Sequence, residues 1–207
     1  MIAERTGRVA AVILAAGQSA RMGEPKQLLG VVNTTILERT IENVRGTAVD
    51  EIVLVLGFAA DQIRQQIPAG QLDNVTIVVN ENFAQGMASS LRAGLSAVSA
   101  HASAALIVLA DQPFVHTATI DRIIEHYRGL GAQIIIPCYK GQRGNPVLLD
   151  RVIFAEAMAL EGNTGCRAIF ANHSNDIAEV AVDDEGVVLD IDDRAAYERL
   201  RGRGNTN

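Results

Sequence analysis

With 207 residues, nearly half of them apolar and a fifth charged, the chain has the make-up of a globular domain with room for one substantial core. A net charge of −6 argues against a nucleic-acid partner, and no apolar run reaches the roughly 18–20 residues that a membrane crossing needs. Two cysteines, Cys138 and Cys166, without CxxC spacing argue against a disulfide framework; with the short polar opening MIAERTGR, which does not read as a signal peptide, they point to a reducing, cytoplasmic setting.

Residues 9–16, VAAVILAA, are continuously apolar, the pattern of a strand covered on both faces. The run leads straight into residues 17–27, GQSARMGEPKQ, which carry two glycines and the cations Arg21 and Lys26. Glycine lets backbone N–H groups approach a ligand closely, and a loop of such donors attracts phosphate. The alternative is a solvated loop with two chance cations. Neither a P-loop, GxxxxGK[ST], nor a dinucleotide fingerprint, GxGxxG, is present. TTILERTIENV follows, with Leu37, Ile41 and Val44 at helical spacing behind a Thr35–Glu38 capping box.

Strand patterns then recur at 51–57, 75–80, 104–110 and 132–137, with helical patterns between them in ASSLRAGLSAV and TIDRIIEHY. The turn before the first of these helices, at Gly86 and Met87, leaves helix N–H groups free for an anion or carbonyl. Asp111 stands just past the run LIVLA, at the same sheet edge as the glycine loop. A carboxylate facing phosphates needs a cation between them, and Mg²⁺ is the natural one; a capping or loop acid is the alternative. From Arg143 onward the pattern loosens: RGNPVLLD reads as a strand, RVIFAEAMAL and GCRAIFANH as helices, IAEVAV and GVVLDID as short strands. In a strand Asp190 and Asp192 share a face, while Asp193 suits the cap of a last helix. The four histidines lack ligand spacing and read as surface or capping residues, and the cysteines as packing residues. Strand–helix alternation predicts one α/β domain over residues 1–207, a Rossmann-like three-layer αβα sandwich whose mostly parallel sheet has an antiparallel addition.

The string LAAGQSARMGEPK resembles LAAGxSxRMGxxK, the signature of nucleotidyltransferases that activate small molecules with an NTP. Over roughly residues 9–200 the chain is similar to the MobA/MocA-like NTP transferase family, in its branch of molybdenum-cofactor cytidylyl- and guanylyltransferases. The resemblance implies the nucleotide-diphospho-sugar transferase fold and assigns roles. Leu14, Ala15, Ala16, Gly17 and Ser19 hold nucleotide and phosphates, Arg21 grips the pyrophosphate portion, and Lys26 neutralises charge at the α-phosphate. Arg21, Lys26 and Asp111 are thus the expected catalytic residues. A DxD-type segment makes Asp192 the expected metal partner of Asp111, with Asp190 second; relatives commonly have Thr where this chain has Asp193. Asn80, Gly86, Met87 and Ser90 are expected at base and ribose, and the GM-x-x-SL form favours CTP over GTP.

GQRGNPVLL resembles GxRGxPV and puts Arg143, Gly144 and Asn145 on the acceptor side, where many relatives have His in place of Asn145. EGNTGCR resembles GDxGxR, with Asn163 replacing Asp. Two departures on the acceptor side and none in the phosphate loop leave the nucleotide chemistry in place and the acceptor open. The expected reaction is Mg²⁺-dependent transfer of CMP from CTP to the phosphate of molybdopterin, with release of pyrophosphate and a molybdoenzyme as possible client. The alternatives are cytidylyl or guanylyl transfer to another phosphorylated metabolite or sugar, a non-catalytic cofactor carrier, and a redox enzyme on the same fold. An acceptor phosphate, already ionised near neutral pH, needs no protein base.

Overall fold

The computed structural model describes residues 7–19 and 22–203. In chain order it contains β1 (Arg8–Ala15), a small hairpin of β2 (Gly30–Val31) and β3 (Thr34–Thr35), α1 (Ile36–Arg45), β4 (Glu51–Leu56), α2 (Ala60–Gln66), β5 (Val75–Val79) and α3 (Met87–Ala97). There follow β6 (Ala102–Leu109), α4 (Thr117–Leu130), β7 (Ile134–Tyr139), β8 (Gln142–Arg143), β9 (Val147–Asp150), α5 (Phe154–Met158), β10 (Ile177–Ala181) and α6 (Arg194–Leu200). Among these residues no helix is long and apolar enough to cross a membrane.

β1 shows why continuous apolar runs make central strands. Val9, Ala11, Ile13 and Ala15 join one core with Leu37 and Ile41 of α1 and Ile120 and Ile123 of α4. Ala10 and Val12 join a second core with Leu91 and Leu95 of α3 and Phe154 of α5. Alternate side chains enter opposite layers, so neither face tolerates a polar residue, and the result is a three-layer sandwich. α1 starts as read from sequence: Thr35 Oγ1 accepts the Glu38 N–H while the Glu38 carboxylate accepts the Thr35 N–H. Ile41 is fully buried against β1. Ile41→Ala is expected to cost about 2–5 kcal/mol through lost transfer energy and the cavity left behind, read as a lower urea midpoint.

Across the main sheet the strand order is β10-β7-β9-β6-β1-β4-β5, with β8 beside β7. β4 and β6 flank β1 in parallel, with Leu14 opposite Val55 on one side and Leu109 on the other. The chain moves outward through β4 and β5, then returns to the opposite side of β1, which makes the β1–β6 edge a topological switch point. Ligands of open α/β sheets bind in that crevice, beyond the carboxyl ends of the strands. β9 runs antiparallel between β6 and β7, pairing Val147 with Ile107, so residues 145–146 arrive at the same edge from the opposite direction.

The expected antiparallel addition is β9 with β8, while β10 runs parallel to β7. Two expectations for the second half need correction. GCRAIFANH is a 3₁₀ segment, Cys166–His173, rather than an α-helix, and it buries Cys166, Ile169 and Phe170 at a spacing that suits either form. GVVLDID is not a strand. Its first part is a 3₁₀ turn, Glu185–Val188, capped by Asp184, which accepts the Gly186 N–H. Gly186 lies so close to the Phe114 carbonyl that an added Cβ would sit 2.2 Å from it, which locks this turn against the loop after Asp111.

Candidate active site

The loop after β1 folds around a buried side chain that sequence reading passed over. Gln27 is 2% exposed, and its Nε2 donates to the Ala15 carbonyl at 2.8 Å and the Gly17 carbonyl at 3.2 Å. Ser19, at a positive φ of 52°, donates its hydroxyl to Gln27 Oε1 and accepts the Lys26 N–H. Its hydroxyl therefore shapes the loop and holds Lys26 in place. Leu14, Ala15, Ala16, Gly17 and Lys26 line a cavity of about 470 Å³. Arg21 lies outside the described residues.

The acids come to the same place. β6 ends beside β1, with the Ala110 N–H bonded to the Leu14 carbonyl, so Asp111 emerges next to the loop. α1 supports it from beneath: Thr40 Oγ1 donates to the Ala110 carbonyl, and buried Asn43 bonds the Pro113 and Val115 carbonyls. Lys26 Nζ reaches Asp111 Oδ2 at 2.6 Å and Asp192 Oδ1 at 3.5 Å. Residues 190–192 are not a strand, yet Asp190 and Asp192 both line the cavity wall, because the Ile191 N–H bonds the Asp111 carbonyl at 3.0 Å. Asp190 is gripped by the Gln112 side-chain amide at 2.6 Å. Partial desolvation, reinforced by the charge on Asp111, raises its carboxyl above the ordinary value, against the pull of that hydrogen bond. Asp193 caps α6 by accepting the Ala196 N–H.

Asp111 Oδ1 is buried without a hydrogen-bond partner among the described residues. A carboxylate oxygen left so is costly unless a cation meets it. Among the described residues no group of three or more His, Cys, Asp and Glu side chains is arranged to hold a metal alone. That donor set fits Mg²⁺, which is typically held by one or two carboxylates, with phosphate oxygens and water completing its shell.

The wall where the resemblance expects base and ribose is built on Gly86, the N-cap of α3. Its φ of +103° with ψ near 180° is a region open to glycine, and a Cβ there would meet the Gly162 backbone at 2.5 Å and the Asn163 nitrogen at 2.6 Å. Gly86, Met87 and Ser90 line the larger cavity. Asn80 lies beneath that wall. Its amide nitrogen donates to Ser89 Oγ and Ser90 Oγ, and its oxygen accepts the Asn82 N–H. Gly86→Ala is expected to push residues 162–163 away and raise the nucleotide KM by on the order of tenfold, about 1.4 kcal/mol, more than it lowers kcat; steady-state kinetics against nucleotide concentration read this.

A smaller cavity, about 320 Å³, adjoins the first; Asp111, Asp192, Asn163 and Met87 line both. Its floor is apolar (Leu91, Ile107, Leu109, Val147), and Asn145 and Arg167 stand at its polar side. Arg143 does not reach it. β8 sets Arg143 beside Cys138 of β7, where its guanidinium meets Glu179 of β10 at 2.7 Å and lies over the Phe170 ring. Gly144 is also outside the cavity wall, packed so tightly on Val187 that a Cβ would sit 2.3 Å from its carbonyl. Of the three residues expected on the acceptor side, the structure brings in Asn145 and adds Arg167, the last residue of the EGNTGCR segment. Cys166 also lines this cavity, and burial pushes its thiol up to about 12, which leaves it protonated and inert at neutral pH.

A family model described as "MobA-like NTP transferase domain" matches residues 11–177. The chain is 32% identical over 183 residues to the molybdenum cofactor cytidylyltransferase of Escherichia coli K12, covering 87% of this chain and 89% of that protein. It is also 30% identical over 194 residues to the nicotine blue oxidoreductase of Paenarthrobacter nicotinovorans, covering 89% and 92%. Among solved structures it is similar to Rv0371c of Mycobacterium tuberculosis H37Rv, with a TM-score of 0.86, 35% identity and coverage of 94% and 97%. That protein has also been solved in complex with manganese, where the TM-score is 0.80, the identity 32% and the coverage 94% and 98%.

Proposed function

From the premise that this chain belongs to the MobA-like NTP transferase family, we propose that it moves CMP from CTP onto the phosphate of a small phosphorylated acceptor, with molybdopterin the first choice, using Mg²⁺ and releasing pyrophosphate. That it is a nucleotidyltransferase follows from the family match; donor, metal and acceptor are the proposal. The observation that carries it is the meeting of Lys26, Asp111 and Asp192 where the two cavities join. One cavity has a glycine loop and a helix start suited to a nucleotide. The other has an apolar floor and one arginine, suited to an anionic acceptor with a flat or apolar body. The name of the Escherichia coli relative supports the cytidylyl and molybdenum-cofactor parts of this reading.

In this reading an acceptor phosphate in the smaller cavity faces the α-phosphorus in the larger one. A phosphomonoester with a second pKa of about 6 is already an ionised nucleophile at neutral pH, so the protein supplies position and charge rather than a base. Lys26 stabilises charge growing on the α-phosphoryl oxygens, and Arg167 anchors the acceptor. Asp111 and Asp192 would hold Mg²⁺, which when bound supplies charge neutralisation at the phosphate oxygens. Asn163, on the wall of both cavities, and Asn145 are the two departures on the acceptor side, so acceptor choice is where this chain would differ from its relatives.

The test mixes the protein, Mg²⁺ and molybdopterin with each of the four NTPs and follows pyrophosphate. Release with CTP above the other three is expected. Release with GTP first would overturn the base assignment, and release only with other phosphorylated acceptors would overturn the molybdopterin assignment. No release with any NTP, together with turnover of NADH or NADPH, would place the chain nearer the chemistry named for its Paenarthrobacter relative.

A further inference from the structure

Lys26 Nζ donates to three oxygens at once: Asp111 Oδ2 at 2.6 Å, the Ile191 carbonyl at 3.3 Å and Asp192 Oδ1 at 3.5 Å. An ammonium has three donors and no acceptor, so this set engages its full capacity. Asp111 and Asp192 are also the acids in position to hold a divalent ion. The ammonium stands on the oxygens that a metal would need. Asp111 is divided, with Oδ2 on Lys26 and Oδ1 buried without a partner among the described residues. Arg167 lines the smaller cavity, but its described hydrogen bond runs to the Arg143 carbonyl, at 3.4 Å, and among the described residues it pairs with none of these acids.

We propose that Lys26 is a stand-in cation: in the free protein it occupies the acids against free divalent ions, and the site takes its metal as the metal–triphosphate complex. This rests on the nucleotidyl-transfer reading above. Mg²⁺ and Mn²⁺ seek six oxygens, and Mg²⁺ gives up its water reluctantly. Two carboxylates already shared with an ammonium are a poor, charge-compensated half-site for a bare ion. A triphosphate changes both sides of that balance. It brings oxygens that complete the metal's shell, and it offers Lys26 another anion within reach of its flexible four-carbon stem. The carboxylates pass from ammonium to metal as the ammonium passes from carboxylate to phosphate, and net charge in the pocket stays balanced. Because binding linkage is reciprocal, the same exchange makes metal tighten nucleotide.

Mn²⁺ titration of the full chain, with free Mn²⁺ counted by electron paramagnetic resonance, tests this directly. The arms are Mn²⁺ alone and Mn²⁺ with CTP, in wild type, Lys26→Met and Lys26→Arg, with the Mn²⁺ that CTP chelates in a protein-free blank subtracted from each CTP arm. Wild type is expected to bind Mn²⁺ alone at least tenfold more weakly than in the presence of CTP. Lys26→Met, which keeps the stem and loses the charge, is expected to bind Mn²⁺ alone tenfold more tightly than wild type or better, while Lys26→Arg stays near wild type. Wild type binding Mn²⁺ as tightly without CTP as with it overturns the proposal whatever the variants do. So does a folded Lys26→Met, judged by its thermal melt, with unchanged or weaker Mn²⁺ binding. Pyrophosphate release followed in the same wild-type preparation separates the two readings. Tightening in Lys26→Met without any release supports the stand-in role and sinks nucleotidyl transfer, whereas release without tightening sinks the stand-in role alone.

Discussion

Asp111→Asn is expected to lower kcat by roughly 10²–10³-fold, the usual loss when one preorganised electrostatic contact to the transition state is removed. The substitution keeps the side chain's size, so the support from Thr40 and Asn43 beneath it survives and the unfolding midpoint stays near wild type. What it removes is charge. Asp111 lies on the wall of both cavities and pairs with Lys26 at 2.6 Å, so in the proposed reaction its carboxylate would set the potential where donor and acceptor meet. Its Oδ1, buried and without a partner among the described residues, is the oxygen that the proposed reading offers to a divalent cation. The dependence of rate on Mg²⁺ concentration should therefore shift upward in the same variant. Steady-state pyrophosphate release across a Mg²⁺ series gives both numbers. A kcat within tenfold of wild type at saturating Mg²⁺ would remove Asp111 from the chemistry.

That the glycine loop and Asp111 stand at one sheet edge was legible in the sequence because this half of the candidate site is local. β1, its loop and Asp111 follow one another along apolar runs whose ends define a single sheet edge, and parallel pairing of Leu14 with Leu109 does the rest. The other half depends on contacts that a linear reading does not contain. The apolar run at residues 187–189 and Ile191, between the acids Asp190 and Asp192, imitate a strand. The backbone there obeys the close fit of Gly186 on Phe114 and the bond from Ile191 to Asp111 instead. The expectation that Asp190 and Asp192 share a face survives for that different reason.

Arg143 illustrates the same limit. Its segment does approach the site, since β9 begins at the ligand edge, but strand pairing through β8 turns the guanidinium toward Glu179. Gln27 and Gln112 went unread because an uncharged amide has no signature in sequence. Their importance comes from the backbone carbonyls of residues 15 and 17 and the carboxylate of Asp190, which only the fold brings to them.

Lys26→Ala is expected to lose a similar factor in kcat, roughly 10²–10³-fold, with a different signature. Truncation leaves the loop backbone anchored, because the Ser19 hydroxyl accepts the Lys26 N–H and Gln27 holds the Ala15 and Gly17 carbonyls. The acids, however, lose their ammonium. Asp111 would then present two carboxylate oxygens without a described partner, beside Asp190 and Asp192 on the same cavity wall. Repulsion among them destabilises the free protein, and a divalent cation relieves it. The variant should therefore melt below wild type without metal and recover more of its melting temperature than wild type does when Mg²⁺ is added, since a ligand that binds only the folded form stabilises it by an amount that grows with the logarithm of its affinity. Loss of turnover combined with a larger metal-induced thermal shift separates the removal of a charge at the reaction centre from general damage, which would lower both. A thermal shift with Mg²⁺ no larger than that of wild type would mean that the Lys26 ammonium and the metal do not compete for the same acids.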